Sequence, residues 1–138
     1  SILTPHPKEF ERLFGKTKND FDEREMALKM ADRHNIIIVL KGRYTCIAVP
    51  DGKIFINQTG NPGMATGGSG DVLTGILTGL LAQGYTSRDA AILGVYLHGI
   101  SGDIAAQNLS EESMIASDIC KYLGKAFLKV KNWSDYFE

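Results

Sequence analysis

Hydrophobic and polar positions alternate along this chain with two different periods, and together they predict a layered order of strands and helices. Ile2-Leu3-Thr4 reads as the end of a strand, halted where Pro5 and Pro7 bracket His6 in an extended turn. Pro7 opens a short helix over 8–13 that Gly15 stops. A second helix over 21–34, with Asp20 as its N-cap, turns Leu28 and Ala31 inward and its charges outward. Ile36-Ile37-Ile38-Val39-Leu40 is β-branched and apolar on both faces, the pattern of a central parallel strand covered by helices. Two short strands, 44–49 and 53–56, follow on either side of Pro50-Asp51-Gly52, a hairpin signal. Three helices complete the pattern: 71–83 ended by Gly84, 88–108 capped by Ser87, and 118–130 capped by Ser117.

This order fits an α/β layered fold, in which ligands bind beyond the carboxyl ends of the central strands. With 138 residues, 43% of them hydrophobic and 22% charged, the chain is large enough for one domain with a core of its own. A net charge of −1 gives no basic surface for nucleic acid. Cys46 and Cys120 lie far apart without metal-ligand spacing, and two free, buried thiols in a cytosolic protein are the expectation. The N-terminus lacks the basic and apolar regions of a signal peptide, and the most apolar helix is interrupted by Gly, Thr and Gln. The first strand has nothing before it to pair with, which suggests a fragment of a larger polypeptide.

The densest chemistry lies in Gly60-Asn61-Pro62-Gly63-Met64-Ala65-Thr66-Gly67-Gly68-Ser69-Gly70-Asp71, which runs directly into an apolar helix. A glycine-rich loop at a helix start leaves backbone N–H groups pointing at an anion, and the helix dipole adds positive charge there. Gly67, Gly68, Ser69 and Gly70 therefore form a candidate phosphate-binding anion hole. The string is neither a Walker A loop, since no Lys follows its last glycine, nor the dinucleotide fingerprint, whose glycine spacing differs. Asp71 stands in the first helical turn. A carboxylate repels phosphate, so beyond ordinary dipole complementation it suits a base that faces the group attacking a phosphate.

Lys41-Gly42-Arg43-Tyr44-Thr45 follows the buried strand, where a lysine is either a solvated turn residue or a phosphate ligand. His6 is either a surface turn histidine or a substrate contact. His98 reads as a packed helix residue and His34 as a helix C-terminal cation. The three histidines share no ligand spacing, and no structural metal site is expected. Thr74, Gly75, Thr78 and Gly79 make a small-residue stripe expected to let the helix lie close against the sheet. The aromatic string Asn132-Trp133-Ser134-Asp135-Tyr136-Phe137 packs back on the domain or meets a partner.

Three segments, Leu3-Thr4-Pro5-His6-Pro7-Lys8-Glu9-Phe10, Val39-Leu40-Lys41-Gly42-Arg43-Tyr44-Thr45 and Asn61 through Leu73, resemble the ADP-dependent NAD(P)H-hydrate dehydratases of the ribokinase-like superfamily. Met114-Ile115-Ala116-Ser117-Asp118-Ile119 resembles the start of that family's last helix. Lys8 stands where the family usually has glycine. The resemblance implies a three-layer ribokinase-like sheet with helices on both faces, of which residues 1–138 are the C-terminal part and the N-terminal half is missing.

It also implies a function, the repair of hydrated NADH and NADPH, with ADP as co-substrate and Mg²⁺ assisting. His6 would contact the hydrated dinucleotide, Lys41, Gly42, Arg43, Tyr44, Thr45 and Gly70 would surround the adenine nucleotide, and Asp71 would bind substrate and act as base. Phosphorylating the ring hydroxyl makes it a good leaving group, which the ring nitrogen lone pair then expels as phosphate. A cytoplasmic homo-oligomer, such as a tetramer, and an epimerase domain in the parent chain belong to the same expectation. Two other readings use the same loop. One is an ATP-dependent kinase of a hydroxymethyl or sugar substrate, and the other is an inactive nucleotide-binding fragment.

Overall fold

The computed structural model describes residues 1–135. The aromatic C-terminal string falls outside the residues whose side chains are described. The chain divides into two compact units, one made of Ser1–Gln58 with Leu80–Leu93, the other of Thr59–Gly79 with the chain from Gly94 onward.

The first unit holds a four-stranded sheet in the order β1 (Ile2–Leu3), β2 (Ile37–Leu40), β3 (Cys46–Ala48), β4 (Ile54–Ile56). β1 and β2 are parallel, with Ile2 opposite Ile37 and Leu3 opposite Ile38. The partner of the first strand thus lies 35 residues later in sequence. β2 to β4 are antiparallel, with Ile38 opposite Ala48 and Ala48 opposite Ile54. The sheet is therefore mixed, and β2 has one parallel and one antiparallel neighbour instead of being wholly parallel. The hairpin after β2 dictates this, because a short connection can only return the chain antiparallel.

All four residues of β2 and all three of β3 are buried. Ile38, Leu40, Cys46 and Ala48 pack with Phe10 of α1 (Pro7–Phe14) and with Ala27 and Ala31 of α2 (Asp20–His34). Residues of opposite parity, Ile37, Val39 and Ile47, are buried as well, so both faces of these strands are covered, as their unbroken apolar run requires. Asn19, not Asp20, caps α2 by accepting the Asp22 amide at 2.9 Å.

The second unit is helical apart from its glycine loop. A short 3₁₀ turn (Pro62–Met64) precedes α3 (Ser69–Ala82). α4 (Ser87–Leu109) is continuous through both units, and Thr86 rather than Ser87 caps it, since Thr86 Oγ1 accepts the Asp89 amide at 3.1 Å. The single C-terminal helix expected over 118–130 is two, α5 (Ala116–Lys121) and α6 (Leu123–Asp135), separated at Tyr122. Ser117 lies inside α5. The start of α5 is fixed by the Asp118 carboxylate, which accepts the Ile115 amide at 2.9 Å. Ala105, Met114 and Ile119 form the core here, with Met64 and Val72 packed against it.

The small-residue stripe is corrected. Among the described residues nothing lies within 4 Å of a Cβ placed on Gly75 or Gly79, and both are exposed. Thr74 and Thr78 return their hydroxyls to the carbonyls of Gly70 and Thr74 instead.

Candidate functional site

His6 and Lys41 sit at one edge of the sheet, at the carboxyl ends of the parallel pair. The Lys41 amide donates to the Pro5 carbonyl at 3.1 Å, which ties the two loops together. His6 is the N-cap of α1. Its Nδ1 accepts the Glu9 amide at 3.2 Å, so Nε2 carries the proton and points to Glu9 Oε1, 2.6 Å away. Cap and carboxylate together fix the tautomer of this exposed imidazole.

Gly42, Arg43 and Tyr44 form an exposed turn beyond β2. The Arg43 guanidinium lies 5.4 Å from the centre of the Tyr44 ring. Thr45 closes the turn, its carbonyl accepting the Asn57 amide at 2.8 Å. Lys41 is half-buried, its position set by the strand before it.

The glycine loop belongs to the other unit and is fastened to α4 at several points. Asp103 accepts the Gly60 amide at 3.0 Å through one oxygen and the Asn61 Nδ2 at 2.9 Å through the other. Asn61 Oδ1 in turn accepts the Gly63 amide at 3.0 Å. Gly63 lies so near Glu111 that an added Cβ would come within 2.6 Å of its carbonyl oxygen. Gly99 and Gly102 leave room on α4 for Thr59 and for the Met64 side chain.

The loop ends in a cradle. Gly68 occupies the N-cap of α3, with φ +89° and its carbonyl accepting the Val72 amide at 3.1 Å. A glycine cap brings no side chain to the amides of the first turn. The Ser69 amide bonds to the Thr66 carbonyl at 3.2 Å. Among the described residues, the amides of Gly67, Gly68, Gly70 and Asp71 have no acceptor. Asp71 is exposed beside them, whereas Ser69 is buried.

From sequence His98 reads as a packed helix residue, and its position shows more. Its Nε2 lies 3.0 Å from the Ser69 carbonyl oxygen and 3.3 Å from Ser69 Oγ. A carbonyl only accepts, so Nε2–H is the donor. Neither this contact nor the Asp103 clamp carries a sequence signal, because each joins residues about 30 or 40 positions apart. The structure thus gathers His6 with Lys41 in one unit, and Gly67 to Asp71 with His98 in the other.

The sequence model of the NAD(P)H-hydrate dehydratase family matches residues 1–125. The chain belongs to the NAD(P)H-hydrate dehydratase family. A bifunctional NAD(P)H-hydrate repair enzyme of Moorella thermoacetica is 52% identical over 124 residues, which are 88% of this chain and 23% of that protein. A solved structure of the ADP/ATP-dependent NAD(P)H-hydrate dehydratase of Bacillus subtilis, co-crystallized with ATP and Mg²⁺, superposes with a TM-score of 0.85 at 37% identity. It is covered over 93% of this chain and 47% of its own. Arabidopsis thaliana ribokinase, at 17% identity and a TM-score of 0.52, shares the fold over 88% of this chain and 40% of its own. This member of the dehydratase family therefore has a ribokinase-like fold, and it spans less than half the length of each of these proteins.

Among the described residues no group of three or more His, Cys, Asp or Glu could hold a metal ion. Asp71, exposed in the first turn of α3, offers a carboxylate of the oxygen-donor kind that Mg²⁺ takes. No helix among the described residues is long and apolar enough to cross a membrane.

Proposed function

We propose that this chain carries the phosphoryl-transfer machinery of an ADP-dependent dehydratase that restores hydrated NADH and NADPH. The observation that carries the proposal is the run of amides at Gly67, Gly68, Gly70 and Asp71 without an acceptor among the described residues, with Asp71 itself exposed in the same first turn of α3. Four N–H donors at a helix start suit an anion whose charge grows during reaction, and an exposed carboxylate on the same helical turn suits the proton acceptor for its attacker.

In this reading Asp71 accepts the proton of the ring hydroxyl as that oxygen bonds to the terminal phosphorus of ADP and the bond to AMP breaks. The Gly67, Gly68 and Gly70 amides, with Ser69 buried behind them, stabilise charge on the phosphoryl oxygens. The ring nitrogen lone pair then expels phosphate, breaking the C–O bond and leaving an iminium, and loss of a proton from the adjacent ring carbon to the departing phosphate or to water restores the dihydronicotinamide. Mg²⁺ bound with the nucleotide supplies charge neutralisation on the phosphates. Lys41, Gly42, Arg43, Tyr44, Thr45 and Gly70 are assigned to the adenine nucleotide and His6 to the hydrated dinucleotide, its Nε2–H already oriented by Glu9. The reading includes a cytoplasmic homo-oligomer and an epimerase domain in the parent polypeptide, in line with the bifunctional name of the Moorella relative.

The test is absorbance of regenerated NADH from hydrated NADH, ADP and Mg²⁺ with the full-length protein. Asp71→Asn is expected to lower turnover by about a hundredfold or more while ADP still binds, the usual weight of a positioned base. Full activity in Asp71→Asn, or phosphorylation of an alcohol by ATP without NADH release, overturns it.

A further inference from the structure

The peptide unit between Ser69 and Gly70 is planar, so its carbonyl and its N–H point in opposite directions. The Gly70 N–H is one of the four cradle donors. The Ser69 carbonyl is the group His98 holds, at 3.0 Å. Whatever fixes that carbonyl fixes the donor on the other side of the plane. The plane ends at Ser69 and at Gly70, and the lack of a Cβ on Gly70 makes rotation at that end cheap, so a bond to the carbonyl adds to what the first turn of α3 already fixes. A donor on the carbonyl also polarises the amide, strengthening the N–H as a hydrogen-bond donor.

We infer that His98 is a positioning residue for phosphate recognition: by donating from Nε2 to the Ser69 carbonyl, it aims and strengthens the Gly70 N–H toward the terminal phosphate of the nucleotide. This rests on the proposed nucleotide site. His98 touches neither substrate nor reacting atoms in this role. α4 brings it there in register with Gly99, Gly102 and Asp103, so one helix face holds both ends of the glycine loop.

The experiment is calorimetric binding of ADP and of AMP, each with Mg²⁺, to the full-length protein and to His98→Leu, His98→Asn and His98→Gln. AMP lacks the terminal phosphate and serves as the internal control. His98→Leu keeps bulk without a donor, the Asn amide is too short to reach, and the Gln amide nitrogen falls near the place of Nε2. The expected result is a loss of about tenfold in ADP affinity relative to AMP for Leu and Asn, the size of one hydrogen bond, largely restored by Gln. Should Leu not fold, Asn and Gln make the same comparison. An unchanged ADP-to-AMP ratio in both Leu and Asn overturns the inference. So does an equal weakening of both nucleotides that follows a fall in melting temperature. If the ratio changes as expected while the wild-type protein regenerates no NADH, the dehydratase reading fails and the role of His98 stands.

Discussion

Asp103 and Asn61 are bonded carboxylate to amide at 2.9 Å, and the second oxygen of Asp103 takes the Gly60 amide. This pair spans 42 positions of sequence and sets the entry of the glycine loop. Asp103→Ala removes both acceptors and leaves two partly buried donors unmatched. The expected cost is about 2 kcal/mol, the range for hydrogen bonds to a charged group. Urea denaturation of the full-length variant measures it. Asp103→Asn should recover only part, because one of its two atoms would present N–H to an N–H. Recovery to wild-type stability would mean that the carboxylate charge contributes nothing.

Gly99 is the second constraint on the same loop. A Cβ there would lie 2.7 Å from the Thr59 carbonyl carbon, which is backbone and cannot rotate aside. Gly99→Ala should therefore push the loop away from α4 and destabilise by about 1–3 kcal/mol, the usual penalty of overpacking. Gly75→Ala, on an exposed helical face with open space around it, should instead be neutral or stabilising through helix propensity. A pair of thermal melts separates the two. Equal melting temperatures would mean that α4 and the loop are not in firm contact.

The elements along β2, β3 and the helices were legible because each advertises itself locally: a β-branched run, an Asp-Gly turn, a glycine string before apolar periodicity. Caps were misplaced by one residue, Asn19 for Asp20 and Thr86 for Ser87, because neighbouring residues had equally suitable side chains. The break at Tyr122 was invisible, since neither Gly124 nor any proline marks it there. The role assigned to the small-residue stripe failed for a different reason. Periodicity shows that Gly75 and Gly79 share a face, but not what that face meets. From sequence His98 reads as a packed helix residue and Asp103 carries no signal, since nothing in a sequence shows that residues 29 or 43 positions apart share a hydrogen bond.

Ser101 is fully buried in α4, and among the described residues its hydroxyl has no hydrogen-bond partner. A buried, unsatisfied hydroxyl carries its desolvation cost with no return bond. Ser101→Ala removes the oxygen without enlarging the side chain, and alanine is the better helix former. The expected result is stability equal to wild type or higher by up to about 1 kcal/mol, read from chemical denaturation. A loss of more than that amount would reveal an internal water or a conformer in which the hydroxyl is bonded.

The two cysteines differ in environment and should differ in reactivity. Cys46 is buried in β3 as expected, whereas Cys120, expected to be buried as well, is exposed on α5. Burial pushes the Cys46 thiol above its ordinary value, only partly opposed by the charge and hydrogen bond of Arg24. Its proton stays on in the folded state, with the thiol 3.5 Å from the Tyr44 carbonyl. Iodoacetamide at neutral pH should therefore modify Cys120 first, while Cys46 reacts only on unfolding. The same shift sets a pH dependence. Below the ordinary thiol range both folded and unfolded states hold the proton, and the contribution of Cys46 to stability is complete. As pH rises through that range the unfolded thiol ionises first, which favours unfolding until the folded thiol ionises too. Stability should thus fall on the alkaline side, and more steeply than in Cys46→Ala, once both are compared with their own neutral-pH values. Mass spectrometry after timed labelling settles the first point, since rapid modification of Cys46 in the native protein would show that β3 opens to solvent.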